Sequence, residues 1–149
     1  MTKNILFLLF TCFIFTSLFA QIKKIPSEVT EAQKTRYPHA ENISWKDKSS
    51  SFHAEFTLNG AKMCADFKAT GEWLCTERVI NFKDMPATVQ NSFEKSKYNN
   101  WERNIITEHQ RFGEPLQYSI DVNKSLEKRK LIFDANGKLL KNDMDYVQK

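Results

Sequence analysis

Apolar residues follow three different rhythms along this chain. They form one unbroken run at the amino terminus, then recur at helical spacing, then alternate with polar residues. The last two rhythms return in the same order further on. Val29 and Ala32, then Val89 and Phe93, stand three or four positions apart, the spacing of a helix face. Pro26 and Pro86 precede them and suit a first helical turn, where a missing N–H costs nothing. Both helices are short and weakly amphipathic, so each needs a sheet to pack on. Alternation begins after each helix. Asn42–Lys46 is a candidate strand, and Phe52–Leu58 and Lys62–Lys68 are half-buried strands. Asn59-Gly60 between them is a two-residue hairpin turn. Trp73–Val79 follows Thr70-Gly71. The second round reads Tyr118–Val122, Leu131–Asp134 and Leu139–Lys141, with Thr107–Leu116 as a loop.

The repetition extends to residue identities. Ile25-Pro26-Ser27-Glu28-Val29 corresponds to Met85-Pro86-Ala87-Thr88-Val89, and Phe67-Lys68-Ala69-Thr70-Gly71 to Phe133-Asp134-Ala135-Asn136-Gly137. The expected fold is α+β, with two tandem units of one helix plus a four-stranded antiparallel sheet. The units cover about 25–80 and 85–143. Hairpin pairing across Asn59-Gly60 places Phe56 opposite Met63, Ala54 opposite Ala65 and Phe52 opposite Phe67, an apolar face for the helix. Pairing across Thr70-Gly71 places Phe67 opposite Leu74. His53, Glu55, Lys62, Cys64, Asp66, Trp73, Cys75 and Glu77 then share the other face, since a one-residue slip would exchange the faces.

The opening run changes how the composition reads. The chain has 149 residues, a formal charge of +4, twelve Phe and three Cys. Met1–Ala20 holds five of those Phe and Cys12. Lys3, the run Ile5–Ala20 and the small Ala20 before Gln21 form a secretory signal peptide, cleaved near Ala20. Phe10-Thr11 before Cys12 is not a lipidation context. An uncleaved anchor flanked by Lys23 and Lys24 is the alternative. No other stretch is long and apolar enough to span a membrane. The mature chain, 21–149, is expected to be exported, periplasmic or extracellular, and not inserted in the membrane. Its interspersed charges carry no nucleic-acid signature, and Lys128-Arg129-Lys130 reads as a solvated strand edge.

Ile25-Pro26-x-x-Val29, Tyr37-Pro38-x-Ala40, Trp45, Asn59-Gly60-x-x-Met63-x-Ala65-x-Phe67 and Gly71-x-Trp73-Leu74-x-Thr76-Glu77 resemble the PepSY-like, beta-lactamase-inhibitor-like domains of exported Bacteroidetes proteins. The resemblance spans about Ile25–Leu140. Asn99 stands where the first unit has Pro38. It implies a helix and a four-stranded antiparallel sheet in each unit, the sheets lying side by side. It also implies a non-catalytic role, binding or inhibiting a protein or peptide partner in the envelope.

Export gives Cys64 and Cys75 a choice between a disulfide and two free thiols. The inferred register sets Cys64 opposite Glu77 and Cys75 opposite Asp66, so the cysteines are diagonal, a strained spacing for a bridge. His53, Asp66, Cys64 and Cys75 offer an alternative reading as a small-ligand or metal site, with an ordinary polar sheet face as the other possibility. Otherwise no cofactor or metal is expected. No Gly-rich phosphate loop, Gly-x-Ser-x-Gly or His-Glu-x-x-His is present, and the chain is not read as an enzyme. Trp73, with Ile132 and Leu139 in the second unit, is either a shallow binding stripe on the polar face or packed beneath Thr107–Leu116 or the carboxyl tail. His53, Glu55 and Asp66 complete the candidate binding surface.

Overall fold

The computed structural model describes residues 24–144, so the signal-peptide reading of Met1–Ala20 lies outside the described residues. The chain order is helix α1 (Ser27–Arg36), strands β1 (Glu41–Asp47), β2 (Phe52–Leu58), β3 (Ala61–Phe67) and β4 (Trp73–Val79), helix α2 (Ala87–Glu94), then β5 (Glu102–Arg111), β6 (Gln117–Lys124), β7 (Glu127–Asp134) and β8 (Leu139–Met144). Pro26 and Pro86 stand one residue ahead of the helices, at the cap positions. All eight strands form one antiparallel sheet in chain order, β1 to β8. The sheet is therefore continuous rather than two sheets of four. The β4–β5 ladder, from Cys75 opposite Arg111 to Val79 opposite Thr107, closes the join.

Strand β5 was not legible as a strand. Its register slips between Arg103 and Ile106. A bulge of this kind breaks the period-two pattern that marks a strand in sequence. Thr107–Arg111 is thus sheet, not loop.

Hydrophobic burial sets the layers. Val29, Phe52, Ala54, Phe56, Ala65 and Phe67 are buried in one cluster beneath α1. Val89, Phe93, Ile106, Tyr118, Ile120, Val122, Leu131 and Phe133 are buried in another beneath α2. The ladders place Ala65 opposite Thr76, Thr76 opposite Gln110, and Ile106 opposite Ile120. Both helices therefore lie on the same face of the sheet. Trp45 and Trp101 pack at the edges of these clusters, partly buried.

Two turns hold the helices to the sheet at close range. Gly71 and Gly137 have φ of +84° and +85°. A Cβ on Gly71 would lie 2.6 Å from the Glu28 carbonyl oxygen, and one on Gly137 would lie 2.4 Å from that of Thr88. The Thr88 hydroxyl donates to the Ala135 carbonyl, 2.7 Å away, fixing the same contact from the helix side. This is the physical reason for the matching Phe-x-Ala-x-Gly segments: only glycine lets the turn touch helix backbone.

Gly137→Ala is expected to destabilise the fold by about 2–5 kcal/mol, combining left-handed strain with overpacking. Gly60→Ala, where φ is +77° but the space is open, should cost only about 1–2 kcal/mol. Urea unfolding of the two variants checks this ordering.

Candidate functional site

The face away from the helices carries every second residue of each strand. His53 pairs with Asp66, Glu55 with Cys64, Cys64 with Glu77, Asp66 with Cys75, and Glu77 with His109. The register read from the Asn59-Gly60 turn holds, with Asn59 and Gly60 at φ +50° and +77°.

Across the next turn it holds for Cys64 opposite Glu77 and Cys75 opposite Asp66 but fails at Phe67. A bulge between Asp66 and Phe67 sets Phe67 opposite Trp73 instead of Leu74. Trp73 therefore turns to the helix side, and it is not a surface anchor. Its ring packs on the α1 cluster, the Arg36 guanidinium lies 3.8 Å from its centroid, and its Nε1–H donates to Thr76 Oγ1 at 2.9 Å. Tyr37 bonds the same Thr76 hydroxyl. An identical slip between Ile132 and Phe133 sets Leu139 opposite Phe133. Leu139 leaves the open face and stays 42% exposed. Of the Trp73, Ile132 and Leu139 stripe, only Ile132 remains on the open face, and the stripe does not exist. One turn shape produces both errors, because each bulge inserts one residue and flips the face.

Two runs of polar contacts lie side by side on the open face, one ending at Cys75 and the other starting at Cys64. Lys46 Nζ donates to Glu55 at 2.6 Å, and His53 Nε2 lies 3.6 Å from the same carboxylate. His53 Nδ1 meets Asp66 Oδ1 at 2.8 Å, and Lys48 Nζ approaches Asp66 at 3.2 Å. The Cys75 thiol donates to Asp66 at 3.5 Å, and the Cys64 thiol to Glu77 at 3.9 Å. Glu77 Oε1 lies 3.1 Å from His109 Nδ1, and His109 Nε2 lies 2.7 Å from Ser119 Oγ. An ionised carboxylate only accepts, so Nδ1 carries the proton; in the neutral ring the Ser119 hydroxyl then donates to Nε2.

The electrostatics follow from these contacts. The hydrogen bond from His109 lowers the Glu77 pKa, outweighing its burial. The Lys46 hydrogen bond lowers that of Glu55. Burial, then the charge of Glu77, pushes the Cys64 thiol up to about 12. Burial, then Asp66, pushes Cys75 up to about 11. Both cysteines are free thiols in this structure, with no bridge between them. At neutral pH both are protonated and poorly nucleophilic. Glu77, His109 and Ser119 have the order of an activated serine. Ser119, however, is 1% exposed, so the bond orients His109 and no substrate reaches the hydroxyl. Among the described residues, no three His, Cys, Asp or Glu side chains converge to hold one metal ion. The set His53, Asp66, Cys64 and Cys75 is therefore not gathered around a common point.

One cavity of about 560 Å³ opens on this face. Ser44 of β1, Thr57 of β2, Lys62 of β3, Val79 of β4, Ile105 of β5, Asp121 of β6 and Lys130 of β7 all line it. On a flat sheet β1 and β7 would stand about 29 Å apart, six strand spacings. Sharing one cavity requires the sheet to curl around its open face into a trough. Val79 and Ile105 are 43% and 52% exposed there. Asp121 and Lys130 pair across the wall at 3.6 Å. Sequence reasoning missed His109, Ser119, Val79 and Ile105, because strand β5 and its pairing with β4 were not visible in it.

Residues 50–141, more than half of the chain, match the family described as "Putative beta-lactamase-inhibitor-like, PepSY-like". The chain belongs to this PepSY-like family. Solved structures share the fold. A "BLIP-like protein" from Bacteroides fragilis is 28% identical, with a TM-score of 0.77, covering 83% of this chain and 89% of that one. A "putative periplasmic" protein from Bacteroides eggerthii is 25% identical, with a TM-score of 0.78, covering 81% and 89%. A DUF2874 family protein from Bacteroides ovatus is 25% identical, with a TM-score of 0.78, covering 84% and 92%. No curated protein matches the sequence. Among the described residues, no helix is long and apolar enough to cross a membrane.

Two outcomes test this PepSY-like site. Trp73→Ala is expected to lose roughly 2–4 kcal/mol of stability, as an aromatic anchor of the α1 contact does, measured by chemical denaturation. Glu77 is held below the ordinary carboxyl range, so it stabilises the fold above that range. The contribution is lost as pH falls through its folded value. Denaturation midpoints from pH 7 to pH 3 should therefore fall less steeply for Glu77→Gln than for the unmodified chain.

Proposed function

We propose that this is an exported, periplasmic, non-catalytic protein that binds or inhibits a protein or peptide partner within the trough of its sheet. In this reading a signal peptide ends near Ala20, and two helix-plus-four-strand units, about 25–80 and 85–143, supply the two walls. The observation that carries it is the exposure of Val79 and Ile105 in a cavity walled by seven strands. Apolar side chains ringed by polar ones mark contact surfaces on soluble domains. The flanking acids are already engaged: Glu55 by Lys46, Glu77 by His109, Asp121 by Lys130. Such a wall is ordered before a partner arrives, which lowers the entropic cost of docking. Membership of the PepSY-like family and the BLIP-like neighbour support an inhibitor-type role. The neighbour described as periplasmic supports the location.

Quantitative capture from an envelope extract tests the surface. The double variant Val79→Glu with Ile105→Glu should recover at least about tenfold less of the specific partner than the unmodified chain, as loss of a central anchor does. Leu126→Glu, at a position 99% exposed in the β6–β7 turn, should recover it normally. Equal recovery by all three chains would place binding elsewhere.

A further inference from the structure

The two thiols remain unexplained by partner binding or by packing. They sit diagonally on adjacent strands: Cys64 faces Glu77 and Cys75 faces Asp66. Diagonal positions in an antiparallel pair are about 7 Å apart, whereas a disulfide needs Cβ atoms about 4 Å apart. The excess is about 3 Å. A metal ion held between two thiolates sets the sulfurs about 4.6 Å apart, two metal–sulfur bonds, against about 2 Å in a disulfide. That extra length, about 2.6 Å, nearly matches the excess. A zinc site would need three or four converging ligands, which the described residues do not provide. Two soft ligands alone suit a soft cation, and thiolate selects Cu(I).

We propose that Cys64 and Cys75 form a two-coordinate site for Cu(I) on the open face of the sheet. Two S–H bonds are replaced by two S–Cu bonds, two protons pass to solvent, and copper stays Cu(I) with no electron transferred. The bound unit carries one negative charge. Arg111, directly opposite Cys75, and Lys48, 3.2 Å from Asp66, offset it. Asp66 and Glu77 accept from the thiols and are themselves held by His53 and His109. These carboxylates position the sulfurs in the free protein.

The test is anaerobic titration of the reduced, purified protein with Cu(I) against a colorimetric Cu(I) chelator. One Cu(I) per chain is expected, absent from Cys64→Ser and from Cys75→Ser, with Zn(II) failing to bind in the same assay. Native mass measurement gives a second readout, in which the unmodified chain should gain one copper and lose two protons. The proposal is overturned if no stoichiometric Cu(I) binds, if either serine variant keeps it, or if the copper-bound chain keeps both thiol protons. A Cys64–Cys75 disulfide in the protein as isolated would overturn the spacing on which it stands.

Discussion

Burial of one set of aromatic side chains governs everything else in this molecule. Phe52, Phe56 and Phe67 face α1, and Phe133 lies beneath α2, all of them buried. Side chains alternate faces along a strand, so putting these residues under the helices sends their neighbours to the other side. His53, Glu55, Cys64, Asp66 and, through the ladder, Glu77 and His109 are on the open face for that reason. The polar residues across the trough are thus a by-product of core packing before they are a functional device. A shift of one residue in β2 or β3 would bury a carboxylate, Glu55 or Asp66, and expose the core.

The same ladder explains why the open face has depth. Among the described residues no helix lies on that side, and a twisted sheet of eight strands bends instead of lying flat. Bulges at the β3–β4 and β7–β8 turns and in β5 add local bend. The curl buries the centre of a face that would otherwise be fully solvated. Ser119, a small side chain bonded to the His109 ring, is 1% exposed. The curl is also why the cysteines are partly desolvated on a nominally open surface, and why their protons are held so tightly.

Helix docking supplies the second constraint. Each helix is short, at ten and eight residues, and could not persist alone. The glycine turns at 71 and 137 press against helix carbonyls, while the aromatic residues just beyond each helix, Tyr37 and Tyr98, are buried in the respective clusters. Trp73 belongs to this joint, through Arg36 and Thr76, not to the recognition surface. An aromatic residue that looked like an exposed anchor is instead the edge of a core.

By itself the sequence determined the α+β class, the order of the elements other than β5, the Asn59-Gly60 hairpin and the diagonal placing of Cys64 and Cys75. These depend on local chemistry: proline and glycine positions, period-two alternation, and a two-residue turn that admits one register. The family resemblance was equally local, resting on those turn and core residues. Only the tertiary structure decided the face of Trp73 and Leu139, because a bulge adds one residue without any mark in composition. Only it brought β5 beside β4, because pairing between strands separated by a helix depends on which edges are left unpaired once each hairpin has formed. His109 and Ser119 joined the site through that pairing. The trough itself has no sequence signature, since it arises from the summed twist of eight strands and not from any one of them.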